Sequence, residues 1–89
     1  MKAIVTVTGK DKVGIIAETS AECSKRNANI VDISQTVMRE FFAMIMLVDL
    51  EGLNCDFKTF ADEMQSLGKD KGVDIRVMHE DIFNTMHKI

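Results

Sequence analysis

Residues 41–50 hold nine apolar side chains and a single charge, Asp49. Read with the two-residue period of a strand, Phe42, Met44, Met46 and Val48 point one way, and Phe41, Ala43, Ile45 and Leu47 point the other. A strand apolar on both sides belongs inside a sheet that is covered on both faces. The run is far too short to cross a bilayer, so it reads as core. Whatever this chain folds into must wrap other elements around that segment.

The chain has 89 residues, enough for one domain, divided into a core over residues 1–79 and a terminal helix over 80–89. A domain of this size buries only about 60–65% of its unfolded surface, so a partner subunit is a natural source of further stability. The flanking elements follow in order. Residues 2–8 are rich in β-branched side chains and predict a strand. Residues 13–27 predict a helix with Val13, Ile16, Ala17, Ser20, Ala21 and Ser24 on one side, a stripe of small residues suited to close packing. It stops near Asn27-Ala28-Asn29, because asparagine tolerates the left-handed conformation that ends helices.

A second strand is expected over residues 30–38, with Val31, Ile33 and Val37 on one face and Ile30, Asp32, Ser34 and Thr36 on the other. Arg39-Glu40 is the expected turn into the third strand. Asp56 caps a second helix, which buries Phe57, Phe60, Ala61, Met64 and Leu67 and stops at Gly68. A fourth strand spans residues 73–78, and Ile82, Met86 and Ile89 form a stripe beside Phe83 on a short terminal helix. The order βαββαβ predicts an α+β, ferredoxin-like fold, a four-stranded antiparallel sheet with both long helices on one face.

The first strand meets the first helix through Gly9-Lys10-Asp11-Lys12-Val13-Gly14-Ile15. Two glycines flank the charged triplet, so the backbone there turns tightly and can lie close to a ligand. The first N–H groups of a helix lack intrahelical partners and attract negative charge. Such a junction suits a small anion or zwitterion.

These residues resemble an ACT domain over residues 2–78. The resemblance rests on the strand ending in Thr8-Gly9-Lys10-Asp11, the helix opening Gly14-Ile15-Ile16-Ala17, and Asn29-Ile30 at the start of strand two. Asp32-Ile33-Ser34-Gln35-Thr36 is similar to the short stand-alone ACT proteins, and the loop to the ACT modules of glycine-cleavage transcriptional regulators. The resemblance implies a non-catalytic sensor without a cofactor, joined edge to edge with a second copy. It places an amino-acid ligand where the loop of one subunit meets the start of strand two of the other. Gly14 then matches the family's helix-start glycine, Asp11 its polar loop position and Asn29 its polar opening of strand two. Val13 stands where many amino-acid binders have proline, and Asp11 where several have asparagine. The implied site is Gly9, Lys10, Asp11, Lys12, Val13, Gly14, Ile15, Asn29 and Ile30, with Gly14 leaving N–H groups open to a carboxylate and Asp11 and Asn29 accepting from an ammonium.

Other readings fit less well. A net charge of -3 and a pI near 5.2, with no Trp or Tyr, argue against a nucleic-acid partner, which needs a positive face for the phosphate backbone and aromatic side chains for base stacking. Cys23 and Cys55 match no zinc or redox spacing and read as reduced thiols. His79 and His87 match no common metal spacing. The loop carries neither the cysteine pair of ferredoxin-like copper carriers nor the arginine of acylphosphatases. The opening residues read as a strand and not as a leader, so a cytoplasmic location is expected. The alternative function is a structural or adaptor module that builds an oligomer and docks a regulated protein without a small ligand.

Overall fold

The computed structural model describes residues 1–10 and 14–86. Its elements are β1 (Lys2–Lys10), α1 (Ile15–Lys25), β2 (Asn29–Met38), β3 (Phe41–Asp49), α2 (Phe57–Lys71), β4 (Asp74–His79) and α3 (Glu80–Met86). The strands form one antiparallel sheet in the order β2-β3-β1-β4. The predicted ferredoxin-like arrangement is the one observed. The helix-side core consists of Ala3, Val5 and Val7 from β1, Phe42, Met44, Met46 and Val48 from β3, and Ile75 from β4. Ile15, Thr19 and Cys23 of α1 and Phe60 and Met64 of α2 close over them.

β1 runs two residues further than expected. The two-residue turn at Arg39-Glu40 lets β3 begin at Phe41, so Gly9 and Lys10 find cross-strand partners in Phe42 and Phe41. Arg39 adopts φ 58 to make that turn, a left-handed backbone that a side chain occupies only at some cost. β2 also departs from simple alternation. Ile30 pairs with Val48 and Asp32 with Leu47, leaving Val31 as a bulge. The extra residue separates Ile30 from the face of Asp32, Ser34 and Thr36 and returns it to the side of Ile33 and Val37.

α1 starts at Ile15, later than expected, because Gly14 precedes it at φ 87. That entry turns Ile15, Thr19 and Cys23 inward. The stripe expected to pack therefore faces outward: Ile16, Ala17, Ala21 and Ser24 are exposed and Ser20 is half-buried. Thr19 is satisfied within the core by donating its hydroxyl to the Ile15 carbonyl at 2.7 Å. The helix ends as predicted at Asn27, whose φ is 59. Ala28 N–H reaches back to the Cys23 carbonyl at 2.8 Å, and the Asn27 amide donates to the Gly52 carbonyl at 2.7 Å.

Asp56 caps α2, its carboxylate accepting from the Thr59 N–H at 2.8 Å. The helix passes through Gly68 and stops at Gly72, φ 75. Gly68 has a different duty. A Cβ there would lie 2.8 Å from the Val73 carbonyl oxygen and 3.0 Å from Ile75 Cγ1, so its bareness lets α2 descend onto β4. Two ion pairs tie α1 to α2, Lys71–Glu18 at 3.0 Å and Arg26–Glu63 at 3.1 Å.

The far face of the sheet, expected to be covered, keeps apolar side chains exposed in the single chain. β3 is apolar on both sides, yet Phe41 and Ile45 on that face remain 54% and 44% exposed. Among the described residues α3 packs chiefly against β1 and β4. Ile82 on α3 is exposed. The Met86 side chain and Ile89, the rest of the expected stripe, lie outside the described residues, as does His87.

Gly68→Ala tests the descent of α2. Alanine gains about 1 kcal/mol of helix propensity, but its methyl meets backbone that cannot swing aside, an overpacking of about 1–3 kcal/mol. Overpacking should win, lowering the urea midpoint by the equivalent of about 1 kcal/mol. Asp56 gives a pH test. Hydrogen bonds from Thr59, side chain first and then backbone, hold its carboxyl below the ordinary 3.8. A depressed carboxylate adds stability that is full above the ordinary value and lost as pH falls through the lower one. The melting-temperature gap between wild type and Asp56→Ala should therefore be constant at roughly pH 5–7 and close on strong acidification.

Candidate functional site

The residues singled out from the sequence fall into two groups at opposite ends of the sheet. β1 and β2 both run antiparallel to β3 and so run parallel to each other. Gly9 pairs with Phe42, whereas Asn29 pairs with Asp49. Seven steps along β3 separate those positions, about 24 Å at the rise of a strand. Within one chain Gly9 and the start of β2 do not meet. Asp11, Lys12 and Val13 lie outside the described residues.

The two glycines divide their labour. A Cβ on Gly9 would sit 2.9 Å from Val73 Cγ1, so Gly9 serves the packing of β1 against the approach to β4. Among the described residues Gly14 has nothing within 4 Å of where its Cβ would be. It combines a left-handed backbone with open space, at the point where α1 begins. Among the described residues no side chain caps that helix, and its first internal bond runs from Glu18 N–H to the Gly14 carbonyl at 3.0 Å. Preceding N–H groups of a helix have no intrahelical acceptor. Ile15 is buried, so only its backbone is available there. Lys10 pairs loosely with Glu40 at 3.7 Å, both side chains exposed.

At the other end, Asn29 and Ile30 line an open groove of about 310 Å³ with Ser20, Ser24, Asn27 and Ala28. Asn27 performs the helix stop, so Asn29 is free of that duty; it lies on the exposed start of β2. The serines were assigned to a packing stripe by their spacing alone. Their i, i+4 hydroxyls followed by an asparagine were the available sign of a polar groove. A second groove of about 280 Å³ at the loop end is lined by Thr8, Gly9, Thr36, Met38, Phe41, Phe42 and Ala43, a mainly apolar set.

Among the described residues, neither groove is lined by a nucleophile–base pair or paired carboxylates. Cys23 is buried, and desolvation first, then the Glu22 charge, pushes its thiol up to about 11. Among the described residues no three metal-ligating side chains lie together, and no helix is long and apolar enough to cross a membrane.

A model of the ACT domain matches residues 2–78. The chain belongs to the ACT domain family. A UPF0237 protein of Methanocaldococcus jannaschii is 48% identical over 88 residues, covering 99% of this ACT domain and 98% of the relative. An ACT domain protein from Streptococcus pneumoniae superimposes with a TM-score of 0.82 at 41% identity, covering 93% of each chain. The regulatory subunit of aspartate kinase from Thermus thermophilus shares the fold at a TM-score of 0.66 and 17% identity, over 85% of this chain and 49% of that one.

The thiols give a direct check on the packing of α1. Ellman's reagent on the folded protein at mildly alkaline pH should modify half-buried Cys55 and spare Cys23. Denaturation should release the second equivalent.

Proposed function

We propose that this ACT domain is a non-catalytic regulatory module of the cytoplasm that pairs along β2 and binds a small metabolite, an amino acid by its chemistry, between two copies. The observation that carries the reading is the contrast between the two sheet edges. β4 carries Asp74 and Arg76, paired at 2.9 Å, the charge that commonly protects an edge. β2 has ten residues, one charge and no proline, and its exposed Val31, Ile33, Val37 and Met38 are 50%, 39%, 63% and 69% accessible. Beyond the bulge its register is unbroken from Asp32 to Met38, which leaves a regular row of backbone groups for another strand.

The outward stripe of α1 borders the same edge, since Ser20 and Ser24 share a groove with Asn29 and Ile30. Strand and helix together offer one continuous surface to a second copy. A two-fold axis pairing β2 with β2 antiparallel reverses the ends. It carries the Asn29 end of one protomer to the loop end of the other, reuniting the two halves that one chain holds apart. The opened start of α1 suits a carboxylate, and the Asn29 side chain suits an ammonium group. The aspartate kinase subunit of similar fold is likewise a regulatory subunit.

Thermal melts with each of the twenty amino acids test the ligand. One should raise the melting temperature with a logarithmic dependence on its concentration, and Asn29→Ala and Gly14→Val should each abolish the response. Sedimentation tests the edge, Ile33→Lys shifting mass toward the monomer. A firm dimer indifferent to every amino acid would favour the adaptor reading instead.

A further inference from the structure

Among the described residues, the sheet face turned away from α1 and α2 carries only the short α3. The molecule is 19 Å across its thinnest dimension, the depth of one sheet and one layer of helices at about 10 Å each. Among the described residues α3 packs chiefly against β1 and β4, where Ile4 is 7% exposed. The rest of the face is open, with Met38, Phe41 and Ile45 at 69%, 54% and 44% exposure.

We propose that two β2-joined pairs stack through these faces, so that the occupant is a second copy of the pair and the assembly holds four chains. This inference rests on the edge pairing proposed above. Charge distribution is the first argument. By the strand register, the middle of the face carries Thr6, Thr8, Ala43, Ile45 and Leu47 without a formal charge. Charges keep to its margins. Lys2, Asp32 and Asp49 lie toward one end, Lys10 at the other, and Asp74 and Arg76 neutralise each other on the outer strand. A charged partner has nothing to grip at the centre, whereas an identical face brings the same neutral centre and no repulsion.

Area is the second argument. Strands β3 and β2 and the half of β1 beyond α3, where Thr8 and Lys10 are exposed, offer about 12 Å by 30 Å per protomer, or about 360 Å², at ordinary strand spacing and rise. That is less than half of the about 800 Å² each partner contributes to a stable interface. Joining two protomers along β2 makes the open strands contiguous and brings the floor to about 720 Å². The face is sized for a pair on a pair and undersized for two single chains. Sheets stack about 10 Å apart with interdigitated side chains, which would bury Phe41, Ile45 and Met38 together.

Analytical ultracentrifugation of the full chain decides it, using Ile45→Thr, Phe41→Lys and Met38→Lys with circular dichroism melts to confirm folding. The wild type should sediment with the mass of four chains, and each variant with the mass of two. Ile45→Thr keeps a residue that strands favour, so its fold survives even if the lysines disturb theirs. A wild-type mass of two that the variants leave unchanged overturns the stacking and keeps the edge pairing. A mass of one overturns both. A mass of two that Ile45→Thr splits to one overturns the pairing along β2 and with it the four-chain assembly.

Discussion

β3 pairs on both sides over nearly its whole length, with β1 along one edge and β2 along the other. Its inward side chains Phe42, Met44, Met46 and Val48 are all 5% exposed or less. Truncating one buried methionine typically costs about 2–5 kcal/mol, against a total stability of about 5–15 kcal/mol for a domain. The position of α1 and α2 follows from this strand, since both rest on the row it presents. β4 joins the sheet through β1, and α2 packs closely on β4 because Gly68 yields the space of a side chain.

Much of this was legible in the residues. Strand alternation, the Asp56 cap and the Asn27 stop are local effects, and the topology followed from their order. What escaped was set by neighbours. The Val31 bulge depends on how β2 meets β3, which no single strand reveals. α1 offered two stripes with helical spacing, one of small residues and one through Ile15, Thr19 and Cys23. The backbone of Gly14 chose between them. Gly68 and Gly72 are equally plausible helix stops by type, and only the proximity of the Val73 carbonyl separates their duties.

The candidate site was legible in part for the same reason. Gly9 and Gly14 both stood out, yet one answers to Val73 and the other to open space. Ser20 and Ser24 looked like packing residues because small polar side chains serve packing and recognition alike. The apolar far side of β3 was plain from composition. Its lack of cover within the chain was not, because a sequence shows that a surface needs burial and not whose surface does the burying.

The distance between Gly9 and Asn29 carries a consequence for any response this ACT domain makes. On the reading proposed above, with each half of the ligand site at an opposite end of the sheet, a lone chain would have no complete receptor to fill. Sensitivity would then be a property of abundance: the amount of protein would set how much metabolite registers, and dilution would silence the signal without altering a single contact. Expression level becomes a tuning knob as direct as any mutation.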